Sequence, residues 1–533
     1  MANPNWKLHL LRAVLIVSAA FWVFAPSLHG DWLMDDDFYV TQNALLNDPA
    51  RLWKIWFAPG SLIEYYPIEA TVQSIQWHFW RMDTLGYHLT SLILHIASAL
   101  LVWRLLSKFG LRLAWLGGFL FAIHPVTVES VAWISELKNT LSLPFFLLSV
   151  CSWIAYSEHG RSRDYLLALG LFIVAMLCKI SMALFPFVIL LYAWWKRGRV
   201  TWGDLKSSAP FFAISFALGL ATVLAGNWFR ESHLQSIANP EIGSFATHIA
   251  LAGESLAFYF SKCVWPVGLV PIYPQWAIDP TSPFSFLPWP ILAGVIAWLW
   301  SKRDTWGRHA LLGLGFFLIN LLPFIGLNSV SYMSFTWVMD HFLYLPLIGI
   351  IGLEIAALER IETRISKPMQ PVLAGIVAAA VVLLAWGSHA YAEVFDGPEK
   401  LWSYTVEHNP ASWLAHNNLG NIYLETNRAP QAIDEYQKSL QINSHGVEAH
   451  SNLGFAYEQM GRTTEAIDNY RLALKYNPHF VVALSNLANA LSQSGRVQEA
   501  IATYEEVLLV NPNDANARAN LTKLKSAPKT ASP

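Results

Sequence analysis

For its first 390 or so residues the chain runs as long apolar stretches parted by short polar turns. An α-helix needs about 20 predominantly apolar residues to cross the hydrocarbon core of a bilayer. Runs near 10–28, 86–106, 113–130, 140–157, 164–178, 180–195, 208–226, 286–300, 309–327, 341–358 and 371–391 supply eleven predicted crossings, several of them short or Pro-containing. Beyond residue 392 the pattern changes, and Asn, Glu and Gln replace the apolar runs. The expectation is an all-α protein: a polytopic membrane helix bundle joined to a water-soluble helical tail.

The tail repeats. Pro410, Ser444, Pro478 and Pro512 stand 34 residues apart, as do Leu419, Leu453 and Leu487. The same step joins Ala432, Ala466 and Ala500, and then Tyr436, Tyr470 and Tyr504. One helix pair cannot bury its own apolar face and does so against the next copy, so a fixed period of this kind predicts a stacked α-solenoid. The pattern closely resembles the tetratricopeptide (TPR) family. The predicted organisation is a membrane domain over 1–392, a linker and partial repeat over 393–410, repeats over 411–444, 445–478 and 479–512, a capping helix over 513–525 and a disordered tail over 526–533. Asn417, Asn421, Asn452, Asn486 and Asn489 fall on the first helices of the repeats, where a solenoid turns polar groups into its concave groove. They are candidates for binding a peptide, or they simply solvate the surface.

Composition supports the division. Of 533 residues 54% are hydrophobic and 14% charged, with mean hydropathy +0.35. An ordinary soluble domain carries about 25% charged residues, so this chain has too little polar surface to cover itself in water. A net charge of −2 gives no footprint for nucleic acid. The three cysteines, Cys151, Cys178 and Cys263, lie in or near apolar runs and have no metal-ligand or disulfide spacing. Lys and Arg in short loops set orientation. The basic clusters around Lys7/Arg12, Arg104/Lys108/Arg112, Arg161/Arg163, Lys196/Arg197, Lys302/Arg303 and Arg360/Arg364 all fall on one side if eleven runs cross. That side is the cytoplasm, which places the N-terminus inside and the tail outside. A crossing at the apolar stretch near 249–270 would break this parity, so it is expected to re-enter or lie at the interface. No small-residue cleavage site follows the first run, which reads as an uncleaved signal anchor.

Candidate chemistry gathers in the outward turns. Asp35, Asp36 and Asp37 are adjacent just past the first run. Three neighbouring carboxylates repel one another unless a cation, a metal or a shared proton offsets the charge. One of them could act as general base on a hydroxyl acceptor, and Asp35 with Asp36 could attract Mg or Mn. A solvated acidic loop is the plainer alternative. The next outward turn carries His124, Glu129, Glu136, Lys138 and Asn139, with His124 and Glu129 at the edge of an apolar run, where ionisable groups are costly and default to function. Lys138 reads as an interfacial anchor. Lys179 sits at an outward turn against the positive-inside trend, where it either holds a phosphate or snorkels to the interface. Asp340 and His341 precede another run, as proton carrier, phosphate donor or helix cap. No Gly-rich phosphate loop, HExxH or G-x-S-x-G motif is present, which argues against chemistry on a soluble nucleotide.

In order, the Asp-rich first loop with Asn43, Tyr66-Pro67, Gly86 to His95, His124 to Glu136, Lys179 to Pro186, Tyr259, Pro266, Tyr273 and Asp340-His341 to Tyr344-Leu-Pro346, followed by TPRs, resemble the transmembrane-and-TPR-containing O-mannosyltransferases in bacterial form. Those belong to the GT-C glycosyltransferase superfamily. The resemblance spans nearly the whole chain. It implies an inverting transfer of a mannose-like sugar from a polyprenyl-phosphate donor to Ser or Thr of a protein acceptor, on the periplasmic side of a bacterial inner membrane. Carried over, the acidic pair falls on Asp35 and Asp36 with Asp37 adjoining, His124 and Glu129 line the site, and Lys179 and His341 neutralise phosphate. Relatives commonly have Arg where this chain has His341. The TPRs would recruit the acceptor. Two other readings stand beside this one: a non-catalytic TPR scaffold for envelope assembly, whose membrane half any single-span anchor could replace, and a flippase for a lipid-linked sugar.

Overall fold

The computed structural model describes residues 6–58, 60–233 and 240–526. These are helical throughout, with no strand among them, and they divide into two compact units, residues 1–400 and 401–533. In the first unit eight helical segments are long and apolar enough to cross a membrane, and the bent pair Ala114–Ile123 and Pro125–Ala132 (54°) makes a ninth. This is fewer than the eleven expected. The run near 164–178 forms the helix Ser162–Cys178 of only 17 residues, and that near 341–358 forms Leu347–Arg364, which carries Glu354, Glu359, Arg360, Glu362 and Arg364. The stretch 249–270 does not turn back on itself. It forms one continuous helix, Phe245–Val264, which satisfies its own backbone, and buries Ala250, Leu251, Ser255, Tyr259 and Cys263 on one face.

Antiparallel helix pairs deliver the outward turns to one end of the bundle. Leu137–His159 and Ser162–Cys178 form a tight hairpin, so the residues that start the first helix and follow the second lie side by side. Gly307–Leu321 packs on Leu347–Arg364 through Gly313 and Gly349. A Cβ on Gly349 would run into the Gly313 carbonyl oxygen, so only glycine allows this backbone-to-backbone approach. The segment between the first two spans is irregular. It folds as short turns at Asp37–Thr41 and Ala44–Asn47, the short helix Arg51–Phe57 and the helix Pro67–Trp80. Asp31 N–H donates to the Asp396 carbonyl at 3.0 Å, tying the exit of the first span to the exit of the last.

The second unit is built from helix pairs. Trp413–Glu425 with Ala429–Ile442, Val447–Gln459 with Thr463–Tyr476, and Val481–Gln493 with Val497–Val510 are followed by the single helix Ala515–Ser526. Residues 527–533 of the expected tail lie outside the described residues. The 34-residue spacing has a direct physical cause. Ala432, Tyr436, Leu453, Ala466, Tyr470, Leu487 and Ala500 share one continuous buried cluster. Within it each tyrosine ring lies flat against a glycine: a Cβ on Gly420 would stand 2.6 Å from Tyr436, and one on Gly454 2.7 Å from Tyr470. Gly454→Val should therefore overpack the solenoid. Its thermal unfolding in the full chain is expected to show a loss of about 1–3 kcal/mol, whereas the exposed Gly461→Ala in the following turn should act only through its φ of +73°.

Candidate active site

The three adjacent aspartates of the first loop have separate fates. Asp36 is fully buried. One of its carboxylate oxygens accepts from the Leu33 N–H at 2.8 Å and the other from the Ser135 N–H at 2.7 Å. It therefore pins the first outward loop to the second, across 99 residues of sequence. Burial pushes its carboxyl up to about 7, while the two backbone donors pull it back down. Asp37 is exposed and accepts from the Thr41 hydroxyl at 2.5 Å. Asp35 makes no side-chain hydrogen bond among the described residues and remains open to solvent. Enough protein surrounds it that desolvation raises its carboxyl, against the lowering influence of Lys138. Glu136, Glu64 and His341 also act on it. With Asp36 committed to backbone, the carboxylates do not converge, and no group of three or more His, Cys, Asp or Glu among the described residues is arranged to hold a metal ion.

Around Asp35 the second and third outward turns supply cations. Lys138 lies 3.4 Å from Glu136 and 3.5 Å from Glu64, and its ammonium stands 5.2 Å from the centre of the Tyr39 ring. Two carboxylates within ion-pair range hold it, a pairing that the anchor reading does not call for. Glu136 also accepts from Asn139 and lies 3.8 Å from Lys179. Lys179 Nζ donates to Asn139 Oδ1 at 2.5 Å, the contact that the helical hairpin makes available. Buried charges persist only when paired in this way.

His341 enters from a distant segment. Its Nδ1 lies 2.9 Å from one oxygen of Glu129, and its backbone N–H donates to the other at 3.1 Å. Glu129 thus grips His341 twice, across 212 residues, and leaves Nε2 as the ring's remaining polar atom. Asn139, Lys179, Asn320, His341 and Tyr344 line one small cavity. Beside it, Asp340 accepts from the hydroxyls of Tyr273 at 2.8 Å and Tyr391 at 3.4 Å, which makes it a buried hub for tyrosines. Asp340 and Tyr273 are motif positions noted in the sequence; Tyr391 is not.

Of the residues singled out, the structure brings Asp35, Glu129, Lys179 and His341 to one end of the bundle. It leaves His124 outside this group. His124 Nδ1 accepts from the Val126 N–H at 3.3 Å, so Nε2 carries the hydrogen and donates to the Cys263 carbonyl at 3.0 Å. His124 holds the helix Phe245–Val264 in place. Glu64 carries no sequence signal that separates it from an ordinary loop carboxylate. It enters the network because the Tyr39 and Tyr66 hydroxyls stand 3.5 and 3.4 Å from its oxygens.

In the solenoid the asparagines bond mainly to one another. Asn452 donates to Asn417 at 3.3 Å and Asn421 at 3.0 Å, Asn421 accepts from the Tyr436 hydroxyl at 2.8 Å, and Asn489 accepts from that of Tyr504 at 2.5 Å. The Asn486 side chain makes no hydrogen bond among the described residues.

A family model described as dolichyl-phosphate-mannose-protein mannosyltransferase matches residues 79–225, the stretch that contains Glu129, Glu136, Lys138, Asn139 and Lys179. Models described as TPR repeats match residues 420–461 and 457–524. Protein O-mannosyl-transferase TMTC4 of Mus musculus is 24% identical over 78% of this chain and 64% of its own length. TMTC4 of Homo sapiens is 23% identical over 81% and 66%, and TMTC1 of Homo sapiens 23% identical over 81% and 55%. The chain is a distant homologue of these transferases. It pairs a segment that matches the mannosyltransferase model with TPR repeats, and its apolar helices are those of a multi-pass membrane protein. It spans less than two thirds of the length of these curated relatives. Among solved structures, the first TPR of Spaghetti (RPAP3) bound to an HSP90 peptide is 27% identical and covers 22% of this chain and 94% of its own, with a TM-score of 0.21.

Two outcomes follow for Asp36. Asp36→Ala orphans two buried N–H donors and should destabilise the membrane unit by about 1–3 kcal/mol for each, measured by thermal unfolding in detergent. Because its carboxyl is raised in the folded state, the stability Asp36 contributes should be fully present below about pH 4 and lost as pH rises through about 7. In Asp36→Asn that slope should flatten.

Proposed function

We propose that the chain is an inverting membrane glycosyltransferase that moves a mannose-like sugar from a polyprenyl-phosphate donor to Ser or Thr hydroxyls of a protein. The observation that carries this reading is the assembly of an exposed carboxylate, two lysines and a carboxylate-bound histidine from four separate turns of the chain. Asp35 is the base: it is open to solvent, unbonded and raised by its surroundings towards the range a general base needs. As the acceptor oxygen bonds to the anomeric carbon, its proton passes to Asp35. The bond from that carbon to the phosphate oxygen breaks, and the electron pair leaves with the lipid phosphate. Attack opposite the leaving group inverts the anomeric configuration.

Lys179 and His341 share one cavity and supply positive charge where the phosphate's negative charge develops. The Arg of relatives would bring a permanent cation. Here Glu129 takes Nδ1 of His341, so Nε2 is the atom that can meet the phosphate. Asn139 holds Lys179 in place and Asp36 holds the loop that carries Asp35. Asp36, Asn139 and Glu129 are therefore positioning residues. The basic clusters lie at the other helix ends, which supports a place for this site on the side away from the cytoplasm, the periplasmic face if the membrane is a bacterial inner membrane. The TPR groove recruits the acceptor, with Asn486 the asparagine left free to bond a peptide backbone.

Purified protein in nanodiscs, given radiolabelled polyprenyl-phosphate mannose and a Ser/Thr-rich acceptor mixture, should transfer label to protein. Asp35→Asn is expected to lower the rate by about 10²–10⁴-fold. Its wild-type counterpart should lose activity as pH falls through the raised Asp35 carboxyl, at higher pH than an ordinary aspartate would cause. Lys179→Ala should weaken both donor KM and kcat. Label transfer unaffected by Asp35→Asn would remove Asp35 as base, and no transfer from any lipid-linked sugar would overturn the reading.

A further inference from the structure

We propose that the end of the helix bundle away from the candidate active site holds one anionic phospholipid, with an acyl chain in an apolar cavity and the headgroup at Arg360. This goes beyond the transferase reading and does not depend on it.

Three helices run between the two places. Phe185–Arg197 starts beyond Lys179, Leu347–Arg364 starts beyond His341, and Gly307–Leu321 runs the opposite way and ends with Asn320 at the site cavity. At their other ends they enclose a second cavity of about 560 Å³, within the roughly 300–1,000 Å³ that bound small molecules occupy. Its deep wall is apolar, formed by Val150, Val188, Leu312, Phe316 and Ile348. Gly352 also lines it, and a Cβ there would meet only the Leu106 side chain at 3.4 Å.

The polar atoms are confined to one end, near the helix termini. There Tyr192, Trp195, Trp306, His309 and Arg360 line the cavity. Aromatic rings with polar tips at this depth mark the membrane–water interface. The Trp195 indole N–H donates to His309 Nδ1 at 3.0 Å, which leaves Nε2 of His309 as a further donor. The Arg360 guanidinium stands 5.5 Å from the Trp306 ring. The carboxylates beside it are taken: Glu362 and Glu359 lie 2.9 and 3.9 Å from Arg112. Arg360 has no carboxylate partner among the described residues.

The arrangement is amphipathic in the manner of a lipid. A cavity with an apolar wall suits an acyl chain, and a cation without a carboxylate partner at its polar end suits a phosphate. Lys108 and Arg303 at the same helix ends add positive charge, whereas Arg197 is paired with Asp204, so an anionic headgroup is favoured over a zwitterionic one. A polyprenyl phosphate would instead place its phosphate at Lys179 and His341.

Native mass spectrometry of the full-length protein, delipidated and titrated with phosphatidylglycerol or phosphatidylcholine, tests this. One phosphatidylglycerol should bind, about five-fold more tightly than phosphatidylcholine if one arginine sets the preference. Arg360→Glu should abolish the preference. Gly352→Phe, which fills the cavity, should remove the adduct with either lipid, with a monodisperse gel-filtration profile showing that the variant folds. If Gly352→Phe does not fold, Arg360→Glu alone decides. Absence of a phospholipid adduct, an adduct unchanged in Arg360→Glu, or binding of polyprenyl phosphate in place of phospholipid would each overturn the proposal.

Discussion

Ionisable groups at the end of an apolar helix bundle survive only if each finds a partner of opposite charge or a set of hydrogen bonds, and this requirement organises the membrane unit. Glu136 stands within 4 Å of both Lys138 and Lys179, Glu129 holds His341, and Asp36 takes two backbone N–H groups. Remove one partner and the other becomes a buried charge or orphaned donor, which costs far more than the pair contributes. The site is therefore held by mutual necessity: Asp36 joins the first loop to the second, Glu136 and Asn139 join the second to Lys179, and Glu129 joins it to His341.

This explains why the three aspartates differ in how much free carboxylate face each keeps. A carboxylate that accepts two backbone hydrogen bonds in full burial has no free face for a substrate hydroxyl. One that stays open beside cations has such a face. The sequence shows three equal neighbours, and the loop's turn through Met34, at a positive φ of 42°, sends successive side chains to different surroundings. His124 makes the same point. It stands at the edge of an apolar run, as a functional histidine would, and both its ring nitrogens are occupied, Nδ1 by the Val126 N–H and Nε2 by the Cys263 carbonyl of a packed helix.

The solenoid follows a different rule. Its stability comes from identical contacts repeated between neighbours, such as tyrosine on glycine, and these contacts are local in sequence. The asparagines on its first helices form a ladder with each other and with the tyrosine hydroxyls. Part of their polarity therefore serves the solenoid itself.

The sequence by itself determined what depends on local pattern: the all-α class, the apolar character of the first unit and the 34-residue period, because hydrophobic runs and repeats are written in neighbouring residues; the compact units part at 400/401, beyond the compositional change near residue 392. It also placed Asp35, Glu129, Lys179 and His341 in outward turns, since costly ionisable groups stand out against apolar flanks. Only the tertiary structure decided which of them meet. The Glu129–His341 and Asp36–Ser135 contacts close over 212 and 99 residues, and Lys138 and Glu64 become partners through a loop with no regular period. The number of crossings also lay beyond pattern alone, because the charged helix Leu347–Arg364 and the buried helix Phe245–Val264 are defined by what packs around them.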